Sequence, residues 1–313
     1  MAPPEAPSLS VILCTHDRPG YLAACLAGLA RQDLTGAAFE TIVVDSASPP
    51  EGAARIAALA GQAGARLVRC AEPGLSLARN EGLAAAAAPW VAYLDDDAVP
   101  EPDWASSLLA ALARAPANTA GIGGRIVPHW EAPLPDWWPR DAVGTLTVIE
   151  HEGEGVVGDG TLPEGVEPYG ANMAFRADAL AAIGGFPLDL GRVGDRLISG
   201  EEAYVIRRLS AAGHAIVYSG AIVVRHSIQA KRLTREWLFS RLYWQGVSEA
   251  ILAARLGQRG AMWHKAIRMA AKTLRSLPLF LRDQDNPATI RRRGWMLFAA
   301  GYVRGALGAA AGR

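Results

Sequence analysis

Short apolar runs bounded by turn residues alternate with segments of helical spacing through the first part of the chain. Leu9–Cys14, Thr41–Val44, Ala65–Arg69 and Trp90–Leu94 are the predicted strands. A short apolar run without strict alternation reads as a strand buried on both faces. Between these runs lie predicted helices over Pro19–Arg31, Ala53–Ala63, Leu75–Ala86 and Trp104–Ala113. In the first of them Tyr21, Leu22, Cys25, Leu26 and Leu29 recur at helical intervals. The β-α-β-α order predicts an α/β fold with a mostly parallel, doubly wound sheet flanked by helices.

The regular pattern breaks over residues 128–168, which are rich in proline and glycine and carry Trp130, Trp137 and Trp138. A long irregular segment inside a compact domain is usually functional. The three indoles serve either as plugs beneath the loop or as flat platforms for sugar rings. A helix is predicted over Gly200–Ala212, then apolar runs over Ala215–Tyr218 and Ala221–Val224. From about Leu233 the spacing of Leu233, Trp237, Leu238, Leu242, Ile251 and Leu252 predicts amphipathic helices. The expected organisation is an α/β domain over residues 1–228 and a basic helical region over residues 229–313.

Charge sharpens that division. The chain is formally neutral, yet residues 1–224 hold 14 Lys+Arg against 27 Asp+Glu, and residues 225–313 hold 17 against 4. The basic tail suits an anionic lipid surface, a phosphate-bearing substrate or nucleic acid. Within it Arg291, Arg292 and Arg293 stand beside Trp295, Leu297 and Phe298, as in an interfacial membrane segment. Cys14, Cys25 and Cys70 have no metal-ligand spacing and fit a reducing compartment. The N-terminal residues have no basic stretch leading into an apolar core, so no signal peptide is expected there. No apolar stretch reaches the ~18 residues of a membrane span.

The chemistry sits at strand ends. Asp95, Asp96 and Asp97 follow directly on Trp90–Leu94, and Asp45 follows on Ile42-Val43-Val44. In open α/β sheets ligands bind beyond the carboxyl ends of the strands. Three adjacent carboxylates repel one another unless a cation or a network of donors sits among them. The turn after the first strand, Thr15-His16-Asp17-Arg18-Pro19-Gly20, is not a dinucleotide loop, and no P-loop, GxSxG elbow or HExxH is present. What remains is a site for a metal-bound diphosphate, since Mg²⁺ and Mn²⁺ take carboxylate oxygens and share phosphate ligands.

Six segments together resemble the successive motifs of family 2 glycosyltransferases of GT-A fold. They are Ser10–Arg18, Ile42–Ser48, Gly74–Asn80, Leu94–Ala98, Tyr169–Arg176 and Ser199–Glu202, and the resemblance spans about residues 8–228. It implies a metal-dependent, inverting transfer of sugar from a nucleotide-diphosphate sugar, with UDP the expected nucleotide and Mn²⁺ or Mg²⁺ the cofactor. Thr15 and Asp45 match nucleoside-binding positions, and Arg79 matches an arginine near the nucleotide. Asp95 and Asp97 match the outer residues of the Asp-x-Asp motif, with Asp97 the direct metal ligand. Asp96, at its variable position, is either a bystander or a ribose contact.

Glu202 matches the general base, which in the family is often an Asp; Glu201 is the second candidate. Adjacent residues of a helix diverge by about 100°, so only one of the pair can face the cleft. His226 matches a position that completes the metal or diphosphate site. Asn172 joins Trp130, Trp137 and Trp138 as candidate contacts to donor or acceptor sugar. The implied partners are a nucleotide-sugar donor, a glycan or lipid-linked acceptor, and an anionic membrane surface met by the C-terminal region, with no nucleic acid. A cytoplasmic enzyme, peripheral on the inner membrane face, is the expected setting. The rival readings are a polyprenyl-phosphate sugar transferase and a non-catalytic nucleotide-sugar-binding module.

Overall fold

The computed structural model describes residues 7–33, 39–194, 196–280 and 287–310 of the chain. The chain forms two compact units that interleave in sequence. The first comprises Met1–His129, Thr147–Leu188 and Val205–Ser227, and the second Trp130–Leu146, Asp189–Tyr204 and Ile228–Arg313.

The first unit is built on the early apolar runs. They form β1 (Leu9–Thr15), β2 (Phe39–Ser46), β3 (Arg66–Cys70) and β4 (Trp90–Asp95), paired in parallel in the order β3-β2-β1-β4. Three crossover helices join them: α1 (Pro19–Leu29), α2 (Pro50–Gln62) and α3 (Leu75–Ala85). Every residue of β1 is buried, as a strand covered on both faces requires. Leu22, Cys25, Leu26 and Leu29 form the inward face of α1, in one core with Leu9, Val11, Leu13 and Val43.

Beyond β4 the sheet changes character. β5 (Ala98–Pro100), α4 (Trp104–Arg114), β6 (Thr119–Trp130), β7 (Glu154–Val156), β8 (Met173–Arg176), α5 (Ala177–Ala182), α6 (Glu201–Ala211) and β9 (Ala215–Ile228) follow in the chain. The sheet continues β4-β8-β6-β9-β5, and the pairings β4–β8, β6–β8, β5–β9 and β7–β9 are all antiparallel. The parallel arrangement read from the sequence therefore covers four strands, and the sheet as a whole is mixed. β6 escapes a pattern reading because Gly121, Gly123 and Gly124 interrupt its alternation. The two apolar runs after residue 214 are one 14-residue strand, β9.

The second unit contains α7 (Arg235–Arg255), α8 (Arg259–Phe280) and α9 (Pro287–Ala310). The Thr234 side chain accepts a hydrogen bond from the Trp237 backbone N–H and so caps α7. Ala250, Met262, Ala266, Tyr302 and Ala306 form the core of these helices. The glycines of α9 do not break it; they let it approach α7. A Cβ on Gly301 would lie 1.9 Å from the Tyr243 carbonyl oxygen, so only hydrogen fits there. Among the described residues no helix is long and apolar enough to cross a membrane.

Candidate active site

Strand register assembles the rim. In the parallel ladder Thr15 stands opposite Asp45, and Cys14 stands opposite Asp95. The carboxyl ends of β2, β1 and β4 therefore deliver Asp45, Thr15 and Asp95 side by side. With β2 on one flank of β1 and β4 on the other, the strand order reverses direction between β1 and β4. That is the switch point at which open α/β sheets bind ligands.

Antiparallel pairing brings in a residue from far along the chain. β5 begins immediately after the three aspartates and pairs with β9, with Ala98 opposite His226. The Ser227 N–H donates to the Asp97 carbonyl at 2.8 Å and fixes the turn. His226 Nε2 lies 3.3 Å from Asp97 Oδ1, both side chains being buried. One ligand atom from each of Asp95, Asp97 and His226 falls within 4.8 Å of the others. Among the described residues the buried Nδ1 of His226 has no hydrogen-bond partner, and its Nε2 is the nitrogen turned toward the aspartates. Two carboxylates and an imidazole at this spacing fit a divalent cation.

Arg18, the residue just before α1, was part of the first motif but had no assigned role. Its guanidinium reaches both inner aspartates: Nε donates to Asp96 Oδ2 at 3.0 Å and NH1 to Asp97 Oδ2 at 2.9 Å, and NH2 also pairs with Asp96. Thr15 Oγ1 donates to the same Asp96 oxygen at 2.7 Å. Asp96 is wholly buried and its carboxylate is held by Arg18 and Thr15. Thr15 commits its hydroxyl to that carboxylate.

Burial outweighs the opposing Arg18 charge, and the Asp96 carboxyl is raised from 3.8 to about 7. The folded state then holds a proton that the unfolded chain releases at lower pH. Stability from this group is full in acid and is lost as pH rises through about 7. Arg18→Ala removes the main opposing charge. The variant is expected to lose about 3 kcal/mol, the low end for breaking a buried ion pair, and to fall further behind the native protein as pH rises from acid to above neutral. Urea unfolding across that range tests this; a gap that is constant or narrows with pH would sink it.

Arg79, on α3, is buried and lies 3.5 Å from Asp95 Oδ1, with its guanidinium 5.4 Å from the Phe186 ring centre. A Cβ on Gly170 would stand 2.2 Å from Arg79 NH2, so the glycine in the fifth motif makes room for this arginine. Two guanidiniums balance Asp95 and Asp97, and the raised pKa of Asp96 leaves it only partly charged near neutrality. A divalent cation would turn the cluster positive, as a diphosphate requires. Asp45 is buried too; its Oδ1 accepts from the Ser48 N–H at 3.0 Å, and Arg69 approaches its Oδ2 at 3.6 Å.

Asn172 does not behave as a sugar contact. It is buried; its Oδ1 accepts from Trp104 Nε1 at 2.9 Å, and Nδ2 donates to the carbonyls of Arg125 at 3.0 Å and Ile222 at 2.8 Å. The amide ties α4, β6 and β9 to the start of β8. Asn172→Ala leaves three buried groups unpaired and should cost at least about 3 kcal/mol, at about 1–3 for each of them, with nucleotide affinity unchanged in the protein that remains folded. Denaturant unfolding together with calorimetric titration separates this from a ligand role, which would reverse the two effects.

The remaining candidates lie in the second unit. Trp138 is buried against Trp137, at 5.4 Å between ring centres, and against Trp237 at 6.5 Å, so it is a plug and no sugar platform. Trp137 is half-buried beneath the Arg235 guanidinium, and Trp130 is half-buried at the end of β6. Glu201 is buried and Glu202 half-buried in the first turn of α6.

Comparison with known proteins identifies the family. A glucosyl-dolichyl phosphate glucuronosyltransferase of Haloferax volcanii is 32% identical over 181 residues, which cover 57% of this chain and 56% of that protein. The chain thus spans little more than half the length of this relative. The succinoglycan biosynthesis protein ExoM of Rhizobium meliloti is 27% identical over 98% of this chain and 95% of its own. Among solved structures, a mannosyltransferase of Pyrobaculum calidifontis in complex with GDP-Man and Mn²⁺ superposes with a TM-score of 0.55 at 20% identity. That alignment covers 99% of this chain and 75% of the other, and it shows the shared fold. Residues 10–180, more than half of the chain, match glycosyl transferase family 2, and the chain belongs to that family.

Proposed function

We propose that the protein is a divalent-metal-dependent, inverting glycosyltransferase that moves a sugar from a nucleotide-diphosphate sugar to a hydroxyl of a glycan or lipid-linked acceptor. The observation that carries this reading is the cluster of Asp95, Asp97 and His226 at the switch point of the sheet. These three residues would hold the cation, whose bound charge stabilises a departing diphosphate. An imidazole among the donors favours Mn²⁺ over Mg²⁺. Arg18 and buried Asp96 hold Asp97 in place. Asp45 and the Thr15 backbone would receive the nucleoside, and Arg79 would face the phosphates beside Asp95. Glu202 is assigned the proton of the attacking hydroxyl, with Glu201 as the alternative, on the strength of their place in the sixth motif. Attack on the face opposite the leaving group inverts the anomeric centre. Trp137 and Trp130 remain as candidate surfaces for sugar.

UDP is the expected nucleotide, and the GDP-Man bound by the Pyrobaculum neighbour makes GDP-sugars the second arm of any screen. The dolichyl phosphate in the name of the Haloferax relative supports a lipid-linked acceptor. Such an acceptor would bring the enzyme to the inner membrane face as a peripheral protein. An enzyme using a bare polyprenyl phosphate would need no strong base, which the Glu201-Glu202 pair argues against. Thermal unfolding with UDP- and GDP-sugars, in Mn²⁺ and in EDTA, tests the proposal. A ligand at 100 times its dissociation constant adds about 2.7 kcal/mol of stability. A rise in melting temperature with one nucleotide series in Mn²⁺ alone is expected; no rise with any of them would overturn it.

A further inference from the structure

The second unit exposes an apolar stripe that its own packing does not use. On α8, Ile267 is 66% exposed, Leu274 71% and Trp263 36%. At about 100° per residue these three side chains fall within roughly 40° of one another. The inward face of the same helix is separate and carries Met262 and Ala266. The stripe is flanked by charge of one sign. Arg259 stands about 40° to one side and Arg268 about 100° to the other, and both are exposed. Neither α8 nor α9 contains an Asp or a Glu.

The apolar residues first expected to meet a membrane are occupied elsewhere. Trp295 is half-buried under the Lys272 ammonium at 4.3 Å, and Phe298 lies under Lys265 at 5.8 Å. Lys265 also pairs with Glu249 of α7, and Arg291 pairs with Asp141 at 2.9 Å. The arginines of α9 therefore add positive charge, while its aromatic residues serve the packing of the helices.

From these placements we propose that the exposed face of α8 is a membrane-docking surface, seating Trp263, Ile267 and Leu274 among the acyl chains of an anionic bilayer while Arg259 and Arg268 meet its phosphates. The inference deepens the peripheral-membrane part of the proposed function and does not depend on the transfer chemistry. Apolar residues inserted at the headgroup boundary gain from burial, and each neighbouring basic residue gains from the surface potential. Charge decides against a second copy of the chain as occupant. Two such faces brought together would set Arg259 and Arg268 against one another with no acidic side chain from α8 or α9 to meet them.

Co-sedimentation with vesicles, without nucleotide sugar or metal, tests the assignment. Vesicles containing phosphatidylglycerol should bind the protein better than pure phosphatidylcholine, and salt should weaken the binding. Ile267→Ser with Leu274→Ser should weaken it at least about tenfold, and Arg259→Gln with Arg268→Gln should remove the preference for anionic lipid. Exposed substitutions of this kind leave folding nearly unchanged, which thermal unfolding verifies. Equal binding to both vesicle types, or unchanged binding by the serine variant, would overturn the proposal. So would full binding by both α8 variants with loss on replacing Arg291, Arg292 and Arg293. A dimer in analytical ultracentrifugation that the serine variant abolishes, with no vesicle binding, would make the face a self-association surface. Loss of glycosyl transfer with vesicle binding intact would count against the enzymatic reading alone.

Discussion

Asp97→Asn is expected to lower glycosyl transfer by at least about 10²–10³-fold, the range for removing one preorganised electrostatic contact to a developing charge. The substitution keeps the side chain's volume and removes its charge. Asp97 holds a central place in the cluster: its Oδ2 accepts from Arg18 and its Oδ1 faces His226 Nε2. Without the carboxylate the proposed cation loses an anionic ligand, and the nucleotide loses the charge that bridges its phosphates. The nucleotide should therefore bind the native protein more tightly in Mn²⁺ than in EDTA, and the variant about equally in both. Titration calorimetry reads that difference without any turnover. A variant whose nucleotide affinity still responds fully to Mn²⁺ would place the cation away from Asp97.

Glu202→Gln is expected to leave nucleotide-sugar binding intact and to lower turnover by about 10²–10⁴-fold, the usual worth of a positioned general base. The amide keeps the shape of the side chain and cannot accept the proton. The loss should therefore appear in kcat, with KM for the donor little changed. Glu201→Gln run in parallel decides between the neighbours, since only one of two adjacent helical side chains can face a given cleft. Near-normal turnover in the Glu202 variant with loss in the Glu201 variant would exchange their roles. Near-normal turnover in both would remove the base from this motif and favour a phosphate acceptor.

The two effects differ in how far each was legible in the residues. The strand ends were legible because burial of a parallel strand leaves a local mark, a short apolar run ending at a turn. Asp45 and Asp95 could be placed on one rim from that mark and the β-α alternation alone. Arg18 lies within its motif, but the motif alone does not give it a role. Its partners Asp96 and Asp97 lie 78 and 79 positions away, and nothing local announces the pairing. Asp96 shows a related limit: an aspartate between two aspartates gives no local sign that it turns inward. Asn172 and Trp138 show the same limit for burial. A polar amide in an irregular segment reads as available until its neighbours are known, and an indole there reads as either plug or platform.

What the sequence by itself determined is the β-α-β-α frame, the carboxylates at its strand ends, the acidic and basic division of the chain and the order of the family motifs. Each follows from interactions among residues close in the chain: strand burial, helical spacing, turn chemistry. What only the tertiary structure decided are features made by pairing across long separations. The β5–β9 register brings His226 to Asp97. The antiparallel half of the sheet forms around a β6 whose glycines erase its pattern. Helix packing in the second unit buries Met262 and Ala266 while leaving Trp263, Ile267 and Leu274 outside. The physical reason is the same throughout. Periodicity shows that a residue shares a face with its neighbours on one element. Which face meets another element, and which is left to a ligand or a membrane, is settled when the elements pack.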